Sequence, residues 1–183
     1  MRTLVWSVIV LAGLAAGAEA QTLERRGTVA GIAGGGRTWD DEGSLGTGAV
    51  VGGRVDWKFL ESVSLEASVD VLSHDRSGGA FEAEGRTAFI GASLLKRFGA
   101  AAARPYVLVG YHLAQHSGST TFLGERRDRD STGHGFHFGG GVMVRIGERF
   151  ELGPEARFYM IKPDTDSDPA LAYWIGVRFG VQF

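Results

Sequence analysis

Histidines, a serine and a carboxylate recur along the middle of the chain where acyl-transfer chemistry could be assembled: His112, His116, Ser117, His134, His137 and Glu155. A histidine oriented by a carboxylate activates a hydroxyl nucleophile when the three lie within hydrogen-bond reach, which is the machinery of a lipid-modifying hydrolase. Adjacent residues of an extended segment point to opposite faces, so His116 and Ser117 do not present their side chains to each other. No residue is therefore assigned as catalytic. Asp164-Thr165-Asp166-Ser167-Asp168 opens like a calcium loop, but Pro169 stands at the glycine position and Ile175 at the acidic twelfth position, so no metal site and no cofactor are expected. Glu125-Arg126-Arg127-Asp128-Arg129-Asp130 reads as a solvated loop tip, with pairing of its arginines to lipid phosphate or an acidic partner as the alternative, and Trp39-Asp40-Asp41-Glu42 as a loop whose Trp either anchors at the membrane interface or contacts a ligand.

A second set of ionisable residues is defined by spacing. Arg54, Asp56 and Lys58, then Glu66 and Asp70, then Arg97, Arg145, Glu151, Glu155, Arg157 and Arg178 fall on one parity of segments whose other parity is apolar. Strand side chains alternate between faces, so all of these project to one side of a sheet. The basic and acidic members nearly cancel. Isolated ions inside a narrow barrel are costly unless paired and hydrogen-bonded, so the expectation is a salt-bridge network that plugs a lumen, with a conducting pore as the competing reading.

The segments that must position these groups are best displayed at the end of the chain. From Leu171 to Phe183, Leu171, Tyr173, Ile175, Val177, Phe179, Val181 and Phe183 alternate with Ala172, Trp174, Gly176, Arg178, Gly180 and Gln182. One face of that strand is oil. Similar alternation divides the chain into eight segments: Thr28–Arg37, Thr47–Phe59, Val63–Leu72, Arg86–Phe98, Arg104–His116, Gly135–Ile146, Arg149–Ile161 and Ala170–Phe183. The parity is ambiguous in the first, which is mostly Gly and Ala, and in the fourth, where Phe89 and Ile90 adjoin. Short connections alternate with long polar ones at Thr38–Gly46, Ser73–Gly85, Ser117–His134 and Lys162–Pro169. The expected architecture is all-β, an eight-stranded antiparallel up-and-down transmembrane β-barrel with short periplasmic turns and longer external loops.

Composition bounds the alternatives. A basic residue, an uncharged apolar run from Leu4 to Ala16 and Ala18-Glu19-Ala20 read as a signal peptide over residues 1–20, leaving one barrel domain at 21–183. A net charge of −2, from 19 basic and 21 acidic residues, gives no pull toward nucleic acid. The absence of cysteine excludes a disulfide scaffold and thiolate chemistry. A soluble lipocalin-like periplasmic binding barrel shares the alternation with its faces reversed. The export signal and the aromatics near strand ends, Trp57, Phe59, Phe98, Phe150 and Tyr173, favour a membrane barrel with interfacial girdles.

By its signal peptide, eight alternating strands and closing Val181-Gln182-Phe183, the mature chain resembles the small eight-stranded outer-membrane β-barrel family, the group containing the transmembrane domain of outer-membrane protein A. The resemblance implies location in the cell outer membrane and contact with outer-membrane lipid and lipopolysaccharide. It also implies an assembly signal at Phe179, Val181 and Phe183 read by the barrel-assembly machinery; Arg178 departs from the glycine found near that place in the family. The leading expectation is a non-enzymatic, monomeric barrel with a structural or surface-interaction role, porin-like in fold, its long loops meeting a surface ligand. A lipid-modifying barrel enzyme is the alternative.

Overall fold

Every segment whose side chains alternate in polarity forms a strand, and the strands close on themselves. The computed structural model describes residues 27–40, 43–78, 81–99, 102–122, 125–164 and 169–183; the expected signal peptide lies outside these residues. The strands are β1 (Gly27–Asp40), β2 (Gly43–Leu60), β3 (Val63–Gly78), β4 (Phe81–Arg97), β5 (Ala103–Phe122), β6 (Glu125–Ile146), β7 (Phe150–Pro163) and β8 (Ala170–Gln182). Each pairs antiparallel with its chain neighbours, and β8 returns to β1 to give a closed barrel. Backbone hydrogen bonds between Gly27 and Phe183, at 3.1 and 3.0 Å, extend that seam to its periplasmic end. No helix of the described residues is long and apolar enough to cross a membrane; here the strands cross.

The two faces are chemically opposite. Val51, Leu65, Ile90, Leu94, Val109, Leu113, Phe136, Ile175 and Val177 lie on the outer surface with about half of their area exposed, whereas Arg54, Asp56, Glu66, Asp70, Arg157 and Arg178 are almost wholly enclosed. A soluble barrel would have the reverse arrangement. Aromatics form a band at each end of the apolar wall. Trp57, Phe59, Phe98 and Phe150 are exposed near the short turns, while Trp39, Tyr173, Phe158, Tyr111 and Phe136 cluster toward the other end through ring contacts of 5.4–5.9 Å. Short turns mark the periplasmic side of such barrels. Gly147, in the β6–β7 turn, has φ of 64°, a left-handed conformation that glycine adopts without strain.

The structure departs from the sequence expectation at the external side. Residues expected in long loops after β1, β3 and β5 continue the ladder, so that β3 and β4 pair as far as Gly78 with Phe81, and β5 and β6 as far as Phe122 with Glu125. Hydrophobic alternation reports where lipid imposes it and stops at the membrane surface. Backbone pairing has no such limit, because each N–H and C=O still gains a partner above the bilayer. The ambiguous parities are also resolved: Ile32 and Phe89 point inward and Ile90 outward.

Glycine is needed at position 36 of the first strand because the backbone and a large side chain of β8 approach its inner face there. A Cβ added to Gly36 would lie 2.5 Å from the carbonyl oxygen of Tyr173, 2.8 Å from Cβ of Trp174 and 3.1 Å from Cδ1 of Leu72. Gly36→Val should therefore force β1 and β8 apart, shift Trp174 with β8, and destabilise the barrel by ~1–3 kcal/mol through overpacking. Denaturant titration of the refolded protein, followed by tryptophan fluorescence, checks this: the expected result is a lower midpoint with a changed native emission maximum.

Candidate functional site

Period-two geometry directs charges from five strands into one layer of the lumen. Arg54 and Asp56 come from β2, Glu66 and Asp70 from β3, Arg97 from β4, Glu155 and Arg157 from β7, and Arg178 from β8. Arg54 grips Asp70 with both terminal nitrogens, at 2.7 and 3.1 Å, and donates from Nε to Glu155 at 3.3 Å. Arg157 donates from Nε to Glu155 at 2.6 Å and from a terminal nitrogen to Glu66. Arg178 reaches Glu66 at 2.8 Å, Glu155 at 3.4 Å and also Asp56, which in turn accepts from Arg97 at 3.1 Å. Four guanidinium groups thus face four carboxylates, and the bonds run across the lumen from β2 and β3 to β7 and β8.

Neutral donors complete the layer. Tyr106 donates to Glu155 at 2.6 Å and Tyr159 to Asp70 at 2.5 Å, while the Ser64 hydroxyl accepts from Arg97 at 2.5 Å. The guanidinium carbons of Arg54 and Arg157 stand 5.2 and 5.8 Å from the centroid of the Trp174 ring, a geometry in which the ring quadrupole attracts cations. Sequence reasoning did not select Tyr106, Tyr159, Trp174 or Ser64. The signal available was parity, since Tyr159 follows Glu155 and Arg157 on the same face and Trp174 precedes Arg178.

Apolar residues close the remaining space. Ile32, Val50, Leu72, Phe89, Ala114, Tyr159, Ile161, Ala172 and Trp174 pack as one cluster on the external side of the ionic layer. Leu95, Tyr106, Leu108 and Met143 fill the β4–β6 side of the periplasmic half. An eight-stranded interior is about wide enough for side chains to fill, and here they do. Three expected members of the network lie elsewhere. Glu151 is buried nearer the periplasmic mouth and accepts from Gln182 at 2.7 Å. Lys58 is half-buried and Arg145 exposed at that same mouth. Inward parity is shared along a whole strand, while depth along it separates the periplasmic mouth from the central layer.

The histidines follow the β3–β6 wall of the external half. His74 stacks on His116 with centroids 5.2 Å apart, and His112 and His137 are 5.6 Å apart. His116 bonds the hydroxyl of Thr87 at 3.1 Å inside the lumen, whereas Ser117 faces outward. Ser93 and His137 are 2.7 Å apart, both buried. His134 lies outside this group. Its Nδ1 bonds Asp164 at 3.2 Å, and Thr132 donates to the same carboxylate at 2.6 Å. These bonds, from Thr132 first, hold the Asp164 carboxyl below its ordinary pKa. Among the described residues no group of three or more His, Asp or Glu has the geometry of a metal site. Phe179 and Val181 project from the outer face of β8, with Phe179 stacked on Phe150 at 5.8 Å.

The model of the outer membrane protein beta-barrel domain matches residues 6–183. The chain belongs to that family. As an outer membrane protein barrel, it has the cell outer membrane as its location, and the apolar wall is the surface the bilayer covers. Its structure is similar to that of Neisserial surface protein A, with 18% identity over 86% of this chain and 97% of that one, and a TM-score of 0.68. It is also similar to the attachment invasion locus protein of Yersinia pestis, with 14% identity, 88% and 100% coverage and a TM-score of 0.61. The outer membrane protein OprG of Pseudomonas aeruginosa aligns at 13% identity, 87% and 97% coverage and a TM-score of 0.56. No curated protein sequence matches the chain at a significant level.

Proposed function

We propose that this outer membrane protein is a non-enzymatic, non-conducting barrel, monomeric in the membrane, which acts through its wall and its external hairpins. The observation that carries this reading is the ionic layer: eight paired ions bridge the lumen from wall to wall beneath an apolar cap. A permeating ion would have to separate pairs that have little access to water. The disposition of the hydroxyl and imidazole groups supports the non-enzymatic part, since Ser117 and His116 point to opposite faces and Ser93 and His137 are enclosed by the wall.

Surface interaction is the role left to the projecting parts. The hairpins β3–β4 and β5–β6 extend past the apolar band, and their described tips carry Asp75, Glu84, Arg86, Asp128 and Asp130. Such exposed, mostly acidic ribbons suit contact with a positively charged surface ligand. The names of two structural neighbours, a surface protein and an attachment protein, are in keeping with that role. Planar-bilayer recording of the refolded protein tests the closed lumen: the expected record shows no stable unit conductance, and reproducible unit steps would overturn the reading.

A further inference from the structure

The external half of the lumen holds imidazole rings in places that suit only their neutral form. His74 of β3 stacks on His116 of β5 across Gly85 of β4, where a Cβ would come within 2.5 Å of His74 Nε2 and 3.1 Å of His116 Cε1. His137 of β6 lies as close to the wall, since a Cβ at Gly110 would come within 2.7 Å of its Nε2. His112 of β5 stands among His137, Phe89 and Tyr159, with ring centroids 5.6, 5.5 and 5.0 Å away. His74, His112 and His137 are all buried. Among the described residues neither nitrogen of His112 has a hydrogen-bond partner, and Nδ1 of His74 and of His137 has none. An unpartnered buried polar group is costly, and an unpaired buried charge is more so.

The groups around these rings offer a charge little compensation. His74 meets His116 and, along its own strand, Asp75, which faces outward. His112 lies within electrostatic range of His134. His137 is in range of Arg157, Arg54 and His112, and against them of Glu66, which is already bonded to Arg157 and Arg178. Thr87 and Ser93, which bond His116 and His137, are neutral, and the Tyr159 phenol gives its proton to Asp70. We propose that these imidazoles form an acid-operated latch on the external half of the lumen. Neutral, they close its β3–β6 side; protonated from the outside solution, they take up water and part the external ends of those strands down to the ionic layer. His74 is reached first, because it lies past the apolar band. Burial, and then His116, hold its pKa down to about 4, from an ordinary 6.5. A ring released into water binds its proton near the ordinary value, so opening is favoured progressively as the pH falls from 6.5 toward 4 and gains nothing more below that. Within that window each proton taken up only on opening raises the opening constant roughly tenfold per pH unit.

Trp174 reports the opening, because it is fully enclosed beside Phe89 and Tyr159 in the external half. Replacing Trp6, Trp39 and Trp57 by Phe leaves it as the single tryptophan. Acrylamide quenching of this parent protein is measured in phosphatidylcholine vesicles between about pH 7.5 and about pH 4, the span in which histidine titrates. The expected result is weak quenching at neutral pH and a rise below pH 6.5 that reverses on neutralisation. The triple variant His74→Gln, His112→Gln, His137→Gln should show no rise, and His74→Gln alone, the variant to use if the triple does not refold, should show a flatter one. A parent protein whose quenching is independent of pH, or a rise unchanged in these variants, would overturn the latch. Heat-modifiable gel migration is followed over the same range: it should persist, and its loss in step with the quenching would show unfolding of the whole barrel and overturn the latch as well.

Discussion

Arg178→Met should cost the folded barrel ~3–5 kcal/mol, because it strips a buried guanidinium from Glu66, Glu155 and Asp56 and leaves their charge uncompensated. Methionine is close enough in volume that the loss is electrostatic rather than steric. The discriminating comparison is Arg178→Met with Glu66→Leu. That pair of changes leaves Arg54, Arg97 and Arg157 against Asp56, Asp70 and Glu155, a balanced set. The double variant should therefore be more stable than the sum of the two single losses predicts, with a coupling of about 0.5–3 kcal/mol. Urea unfolding in lipid vesicles, read by tryptophan fluorescence and by gel migration without boiling, measures all three. Strict additivity would show that the layer is a set of separate ions rather than a network. Because replacing a balanced buried group by apolar side chains is frequently neutral, the network is better regarded as a device that closes the lumen than as the main source of stability.

The second large effect is expected on the opposite face. Val177 is about half exposed on β8, between the external aromatics around Tyr173 and the periplasmic pair Phe179 and Phe150. Val177→Arg should destabilise the barrel by ~2–4 kcal/mol, the cost of arginine on a lipid-facing strand near the bilayer midplane. The control is Ser117→Arg, on the exposed outer face of β5 past the apolar band, where the same scale gives about 0–1 kcal/mol. Equal tolerance at the two sites would contradict the orientation of the wall. Arg178, the next residue along the chain, has the opposite requirement. One step in sequence separates a place where a charge is costly from a place where a charge is needed, which is the two-residue period of a strand expressed as energy.

How far each feature was legible depends on the range of the interaction behind it. Strand number, the oily outer face and the inward charges were legible because each rests on alternation within about ten residues of one strand. Lys58 and Arg145 show where that logic ends: their parity is inward, but parity carries no depth, and depth put them at the open mouth rather than in the sealed layer. The external hairpins were underestimated for a similar reason, since polar strands above the membrane alternate weakly while their backbones pair fully. Trp174 stood among small and polar neighbours on its face, and only the glycine opposite it, Gly36, makes room for it.

By itself the sequence determined that this chain forms a barrel with lipid outside and ions within, since period two and a closed set of strands leave few other ways to satisfy both faces. Only the tertiary structure decided which ions meet. Arg54 and Glu155 are 101 positions apart, and Arg178 and Asp56 are 122 apart. Such contacts follow from the stagger of strands around the closed wall, which no single segment contains.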